Sequence, residues 1–267
     1  MVAVMRSARQ SLSVRRLILG VLISACFAFV RQAQAQQSAA EFNNRGVAWD
    51  KKRDFDRAIA DYDEAIRLNP KYARAYYNRG VVWDEKKKYD RALADYSEAI
   101  KLDPNFVLPY CARGIHWEDK QEYARAVADY EQAIKLDPKF AVAYKYLAWL
   151  QATCPDARFR DGHQALVNAN RAYQLMGAKD ADAVDTLAAA YAENGDFEKA
   201  KEWQAKAIEL STSEKKKHDY RFRLKLYEEG KPYHQESNPD SGPRTGYGDL
   251  HNHQQGLGPN SLRGAVA

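Results

Sequence analysis

The sequence has few cysteines and, outside its first residues, no excess of one charge. Only three of its 267 residues are cysteine, which is too few for a disulfide-stapled fold, and no spacing of cysteine and histidine resembles a zinc site. Lys and Arg outnumber Asp and Glu by 41 to 36, but residues 1–35 contain five arginines and no acidic residue. The rest of the chain carries no net charge, so its composition does not favour binding to nucleic acid.

The sequence also lacks the motifs that most often identify an enzyme. It has no nucleophile motif, no phosphate-binding glycine loop and no HExxH-type metal site. We therefore predict no enzymatic activity, no metal site and no cofactor. One alternative is an active site within a single loop, although Cys154 precedes Pro155 there and no evident base is oriented toward it. The polar residues of that loop are Cys154, Asp156, Arg158, Arg160, Asp161 and His163.

Residues 1–35 have the pattern of an export signal. Four arginines precede an apolar run of fourteen residues, 17–30, and small residues at the end of the segment, up to Ala35, match a signal peptidase site. The run is shorter than the ~20 residues that span a bilayer. We expect cleavage before Gln36, export to the periplasm or the exterior, and no membrane span afterwards. The alternatives are an uncleaved anchor and a lipoprotein attached through Cys26, which follows a lipobox-like Ile-Ser-Ala.

An internal repeat organises the next part of the chain. Residues 39–138 repeat with a period of 34 residues, and six columns are in register across three copies. The columns are Gly46, Gly80 and Gly114; Trp49, Trp83 and Trp117; Ala58, Ala92 and Ala126; Tyr62, Tyr96 and Tyr130; Ala65, Ala99 and Ala133; Pro70, Pro104 and Pro138. Each copy has two stretches with apolar residues at helical spacing, joined by a polar turn and ended by proline. The period therefore predicts pairs of helices.

Two further units follow, one regular and one irregular. The regular one, at 181–214, repeats the small and aromatic positions, whereas the unit at 141–180 is out of register. The shift between these two units is 40 residues instead of 34, and most of the insertion lies in residues 152–162. The fourth unit therefore differs from the others mainly in the loop between its two helices.

The end of the chain changes in composition. We expect a capping helix at about 212–229, opened by the capping box of Ser211 and Glu214 and ended by Gly230. Residues 234–267 are rich in Gly, Pro, Asn, Ser and His and contain almost no large apolar residues. Such a segment buries too little apolar surface to offset its ordering entropy, so we predict a disordered tail.

The repeated glycine, tryptophan, alanine, tyrosine and proline positions resemble the tetratricopeptide repeat (TPR) family. The resemblance implies an all-α fold, a right-handed superhelical solenoid of antiparallel helix pairs that occupies residues 36–233. It also implies a protein-binding adaptor or scaffold without catalysis, whose partner is a protein or peptide. A self-associating or lipid-anchored scaffold of an envelope assembly is the alternative. The implied repeats lie at about 39–72, 73–106, 107–140, 141–180 and 181–214.

The same resemblance implies a binding groove on the concave face. In the TPR family this groove is lined by set positions of each first helix. Here they are Asn43, Val47, Asp50, Arg74, Tyr77, Val81, Asp84, Leu108, Cys111, Ile115, Glu118, Val142, Lys145 and Trp149. Apolar anchors for the partner are expected from Tyr77, Ile115 and Trp149. An acidic row would favour Lys or Arg on the partner, and consists of Asp50, Asp84 and Glu118.

The sequence departs from TPR domains that hold chaperone C-termini with a carboxylate clamp of Lys, Asn and Arg. Only Asn78 fits that clamp, so we do not expect recognition of such a C-terminal carboxylate. The positions that correspond to the clamp here are Asn43, Val47, Asn78, Leu108 and Ala112.

A ladder of opposite charges accompanies the first three repeats. Arginine precedes each repeat glycine, and aspartate occupies a fixed position on the second helix. In the fifth unit both positions are apolar, Leu187 and Trp203. This joint replacement predicts that the two positions face each other, as an ion pair or as an apolar contact, while an arginine ladder for an anionic ligand is the alternative. The charged positions are Arg45, Arg79 and Arg113 with Asp61, Asp95 and Asp129.

Overall fold

The computed structural model describes residues 30–32, 34 and 37–236, and these residues are helical apart from the connections. The first helix, α1, covers 37–51, and a short 3-10 turn lies at Ala157–Phe159. The other helices are α2 (Phe55–Leu68), α3 (Ala73–Glu85), α4 (Tyr89–Leu102), α5 (Val107–Asp119), α6 (Tyr123–Leu136), α7 (Ala141–Thr153), α8 (Gly162–Met176), α9 (Ala181–Glu193), α10 (Phe197–Leu210) and α11 (Glu214–Glu228). The described residues contain no strand, and the predicted all-α fold is confirmed.

The chain forms two compact units, and the boundary between them follows Lys88. The first unit contains α1 to α3, and in it α2 packs against α3. In the second unit each first helix packs against its second helix, α5 on α6, α7 on α8 and α9 on α10. The first helices of successive pairs also touch, since α5 contacts α7 and α7 contacts α9. Helix α11 covers α10, as the predicted capping helix would.

Two helix pairs, α1 with α2 and α5 with α6, are held close by a glycine that faces a tyrosine ring. A Cβ atom added to Gly46 in α1 would lie 2.6 Å from the ring of Tyr62 in α2. Gly114 in α5 and Tyr130 in α6 show the same distance. Both tyrosines are fully buried. The repeated glycine is therefore required because any side chain would overlap the ring on the partner helix.

Short polar side chains begin several of the helices. Asp161 accepts a hydrogen bond from the backbone N–H of Gln164 at 2.9 Å, and Asp180 accepts one from Ala183 at 2.8 Å. The cap of α11 differs from the prediction, because Ser213 and not Ser211 accepts from the backbone N–H of the first turn. Ser211 instead ends α10. Two adjacent candidate caps cannot be separated by the sequence pattern alone.

The turn between the helices of a pair has a left-handed residue at one fixed repeat position. Arg53, Lys87 and Gln121 have φ values of 58°, 57° and 60°, and the fifth unit has Gly195 with φ 83° there. In the turn after α5, the N–H of Gln121 donates to Glu118 O at 2.8 Å and that of Glu122 to Trp117 O at 2.7 Å. This is the Schellman arrangement, which satisfies the last carbonyls of the helix.

The predictions for the two ends of the chain and for a membrane span concern residues that the structure describes only in part. Most of the predicted signal, including Cys26, and the tail from 237 onward lie outside the described residues. Within the described part, no helix is long and apolar enough to cross a bilayer. Gly230 ends α11 as predicted, with φ 69°.

Replacing Gln121 by glycine should stabilise the second unit. A left-handed residue with a side chain costs ~1–2 kcal/mol, part of which glycine loses again to chain entropy, so we expect a net gain of ~0.5–1 kcal/mol. Urea denaturation of the full chain measures it. The control is Lys120→Gly at the preceding residue, where φ is −84° and glycine should destabilise. A Gln121→Gly chain less stable than the wild type would contradict the turn geometry.

Candidate functional site

Most of the predicted groove positions are buried. Their side chains lie between first helices or against second helices, and Tyr77, for example, is only 1% exposed. Three positions are half-buried, namely Val47, Arg74 and Trp149. The buried ones are Asn43, Asp50, Tyr77, Val81, Asp84, Leu108, Cys111, Ile115, Glu118, Val142 and Lys145. Of the three expected apolar anchors, only Trp149 presents part of its surface to solvent.

Two predicted positions in the first unit bind each other. Nδ2 of Asn78 in α3 donates to Oδ1 of Asn43 in α1 at 2.9 Å, and both side chains are 2% exposed. Asn78 was the one position that fits a carboxylate clamp, but its amide here joins two first helices. In this conformation its amide is committed to that contact rather than offered to a ligand.

The acidic row is also engaged within the fold at Glu118. The Tyr130 hydroxyl in α6 donates to Oε1 of Glu118 at 2.6 Å, and both groups are buried. Burial raises the pKa of Tyr130 far above its ordinary value, and the negative charge of Glu118 adds to this, so the phenol stays a donor. Glu118 therefore faces the second helix of its own repeat. Its place in the groove was predicted from the register alone, which does not show that the longer Glu side chain reaches Tyr130.

The arginine ladder has the predicted structural role. Nε and Nη2 of Arg45 donate to Asp61 at 2.7 and 2.6 Å. Arg113 binds Asp129 in the same two-pronged way at 2.8 and 2.7 Å. In the fifth repeat Leu187 and Trp203 belong to one apolar cluster. The predicted facing of these positions is confirmed for these three repeats. Within the first unit, Arg79 binds Asp63 in α2 at 2.5 Å.

The loop that could have held an active site is occupied by structural contacts. Asp156 and Asp161 cap the 3-10 turn and α8, and Cys154 is a buried thiol. Arg160 donates to the carbonyls of Cys154 and Pro155 at 2.7 and 3.2 Å. The described residues also contain no group of three or more His, Cys, Asp or Glu side chains that could hold a metal ion.

The other cysteine with described surroundings, Cys111, is no better placed for reaction. It is fully buried, and burial raises the pKa of its thiol well above the ordinary value. Because the thiolate is the nucleophilic form of cysteine, Cys111 is chemically inert in this position.

One charged cluster extends across α7, α9 and α11. Asp182 in α9 binds Nζ of Lys216 and the Tyr220 hydroxyl of α11, both at 2.5 Å. Burial opposes ionisation of Asp182, but the positive charge of Lys145 in α7 and these two hydrogen bonds lower its pKa overall. Asp182 therefore stays charged and compensates the buried Lys145. The predicted position Lys145 is thus part of the connection between three helices.

Arg223 of α11 forms the centre of a second cluster on these helices. Its Nε and Nη2 bind the carboxylate of Asp185 at 2.9 and 3.0 Å. Its guanidinium lies 5.3 Å from the ring of Trp149 and 5.3 Å from the ring of Tyr233. The arginine is thus held by a carboxylate below and covered by aromatic rings, which is a favourable setting for cation–π contacts.

Residues 231–236 form a non-helical segment that returns to these helices, and we call it the strap. The N–H of Lys231 donates to Leu226 O at 2.9 Å, which completes a Schellman turn at Gly230 and redirects the chain. The ring of Tyr233 then lies 6.1 Å from Trp149 and 6.4 Å from Phe222, perpendicular to the latter. The strap therefore covers the side of Trp149.

The next strap residues make polar contacts with α7 and α9. Nε2 of His234 lies 2.6 Å from Oε2 of Glu193, and the N–H of Gln235 donates to Thr153 O at 2.8 Å. Oε1 of Glu193 accepts from Nε of Arg160 at 3.1 Å, so the inserted loop orients this carboxylate. The ordered chain continues past residue 233, where the sequence analysis began the tail.

Most of this site was not predicted from the sequence. No functional residue was assigned to α9 or α11, because the groove positions were carried over only as far as the fourth unit. Extending the same register by one repeat would have found Asp182 and Asp185. No local pattern identifies Tyr233 and His234, since two of their partners, Trp149 and Glu193, lie more than one repeat away in the sequence.

Comparison with known proteins identifies the repeats. Models of the tetratricopeptide repeat match residues 43–105, 107–140 and 181–213. The chain belongs to the TPR family. No curated protein matches its sequence. The unmatched residues between 140 and 181 contain the inserted loop, which agrees with an irregular fourth repeat.

Several solved structures share this TPR fold. YrrB, described as a TPR protein with an unusual peptide-binding site, is 21% identical over 73% of this chain and 98% of its own, with a TM-score of 0.55. The MamA protein is 20% identical over 69% of this chain and 96% of its own, with a TM-score of 0.54. Pseudomonas aeruginosa pilF is 14% identical over 86% and 96%, with a TM-score of 0.60. At such identities the likeness establishes the fold.

Two equivalent tyrosines should respond differently to loss of the hydroxyl. Tyr130→Phe removes a hydrogen bond to buried Glu118, which should cost ~1.5–3 kcal/mol. The hydroxyl of Tyr62 is buried and makes no hydrogen bond within the described residues, so Tyr62→Phe should cost less than ~0.5 kcal/mol or stabilise. Urea denaturation of both full-length variants measures the difference, and equal costs would contradict the internal role of Glu118.

Proposed function

We propose that this TPR protein is a non-catalytic adaptor that binds a partner polypeptide on the face formed by the first helices of its second unit. The TPR family and its solved relatives support an interaction protein in general. The observation that carries the more specific proposal is the strap, a non-helical segment that packs against Trp149 and donates a backbone hydrogen bond to α7. A surface that accepts a non-helical segment of its own chain offers contacts that a similar segment of another protein can use.

Within the second unit, the proposed docking face centres on Trp149. This side chain is half-buried and packs against the core cluster of α7 to α9, so its ring is held rigidly while part of it stays accessible. Phe222, whose ring lies 6.4 Å from that of Tyr233, is 55% exposed and adds apolar surface. Rigid aromatic side chains at the centre of a surface with a charged rim are the usual anchors of protein interfaces.

The internally bound groove positions have a supporting role in this proposal. Lys145 and Glu118 hold helices together through their charges, and Asn43 joins α1 to α3. We therefore assign them to the placement of the first helices rather than to contact with the partner. Tyr77→Ala is therefore not a suitable test of binding, because it would open a cavity in the core and confuse loss of folding with loss of binding.

Replacing Trp149 by alanine should remove partner binding. As an interface anchor, it should contribute about 2 kcal/mol, which is about a thirtyfold loss of affinity. Immobilised full-length protein is tested for capture of partners from an envelope fraction, with helical content followed by circular dichroism. The matched control is Trp117→Ala, since Trp117 lies against Arg125 of its own second helix. Equal capture by the wild type and a folded Trp149→Ala variant would contradict the proposed site.

We also propose that the protein is exported, with cleavage before Gln36. The arginines, apolar run and small residues of 1–35 support this. Intact-mass measurement of the protein from its native source should give a chain that begins at residue 36. A mass that retains Cys26 with an acyl group would instead establish the lipoprotein alternative, and a chain that still contains residues 1–35 would contradict cleavage.

A further inference from the structure

We propose that the strap is an intramolecular ligand of the docking face, and that the partner carries the same chemistry, an aromatic residue followed by a basic one in extended conformation. This inference rests on the proposed function, because it names the ligand class and the regulation of the same site. A partner would then bind by displacing residues 231–236.

Two neighbouring side chains of the strap contact different groups of the helices. Tyr233 lies in an aromatic corner formed by Trp149 and Phe222, with the guanidinium of Arg223 5.3 Å from its ring. His234 meets the carboxylate of Glu193 at 2.6 Å. Tyr233 and His234 therefore meet two different groups, an aromatic corner and a carboxylate.

The backbone contact between the strap and α7 requires no particular sequence. The N–H of Gln235 donates to Thr153 O, at the end of α7, where the last carbonyls of a helix have no partner within it. Any residue except proline could supply this donor. The specificity of the site therefore comes from the aromatic corner and Glu193, while the helix end fixes the register of the bound segment.

Both sides of the site are pre-organised by contacts that the strap does not make. Asp185 holds Arg223 through two hydrogen bonds, and Arg160 of the inserted loop holds Glu193 at 3.1 Å. Arg160 is in turn bound to the carbonyls of Cys154 and Pro155. Displacing the strap would leave the receptor side chains in place, so a second segment would find a formed site.

The strap is only partly buried against the helices. Tyr233, His234 and Gln235 are only half-buried, whereas Lys231 and Glu236 are exposed. A segment tethered by so few residues has a millimolar effective concentration and occupies the site without needing high affinity. If the strap is closed for ~90% of the time, a competing segment binds about tenfold more weakly than it would to the open site.

The test uses the full-length chain and a labelled peptide of residues 229–236 with blocked ends. Fluorescence polarisation compares the wild type with Tyr233→Ala, which loosens the strap and leaves the receptor side chains intact. We expect the peptide to bind Tyr233→Ala at least about tenfold more tightly than the wild type. The same peptide with its tyrosine replaced by alanine should not bind. A Gln235→Pro chain, which removes the backbone donor, should also bind the peptide more tightly than the wild type.

Equal affinity of the peptide for the wild type and for Tyr233→Ala, or no binding to either, would overturn the proposal. A wild-type chain that sediments as a dimer and dissociates upon Tyr233→Ala would also overturn it, because the strap would then bind a second copy. The result is separable from that of the proposed function. Loss of partner capture in Trp149→Ala without peptide binding to Tyr233→Ala contradicts only the strap proposal, whereas peptide binding without loss of capture contradicts the partner site.

Discussion

The close contact between a repeat glycine and a tyrosine ring is the constraint on which the α1–α2 and α5–α6 pairs depend. In both Gly46 with Tyr62 and Gly114 with Tyr130, there is no room for even one additional carbon atom. This distance brings the two helices near enough for a bidentate Arg–Asp pair and, in one repeat, for a buried hydrogen bond between Tyr130 and Glu118. The small residues that reveal the repeat in the sequence are therefore also those that set its geometry.

The same constraint explains how far the sequence could predict the structure. Contacts inside one repeat are made at fixed spacing, so the period predicted the helix pairs and the pairing of Arg113 with Asp129. The accessibility of the groove positions could not be predicted in this way. Register assigns a side chain to a helix face, but it does not show whether a neighbouring first helix covers that face, as happens at Asn43. The strap was not predicted because its partners Trp149 and Glu193 are distant in sequence and its composition is close to that of the tail.

The fourth repeat interrupts the regular pattern beside the proposed docking face. The insertion of residues 152–162 interrupts the repeat, ends α7 and delivers Arg160 to Glu193. A repeat with the usual spacing has no loop of this length at the corresponding position, and the carbonyls at the end of α7 would have to be satisfied differently. Departures from a repeating sequence are expected at functional positions, because each identical repeat already satisfies its own packing.

The energetics of the strap follow from its length and exposure. Ordering one residue costs ~1–2 kcal/mol, whereas a neutral hydrogen bond returns about 1 kcal/mol and one to a charged group ~1.5–3 kcal/mol. A six-residue segment with two hydrogen bonds to α7 and α9 therefore depends on Tyr233, whose ring supplies the apolar burial and the cation–π contact with Arg223. Because these contributions are of the same order as the ordering cost, a single aromatic residue decides whether the strap stays bound. In the proposed docking, a partner that places a similar ring on Trp149 would replace the Tyr233 contact, and the remaining contacts would be too few to hold the strap in place.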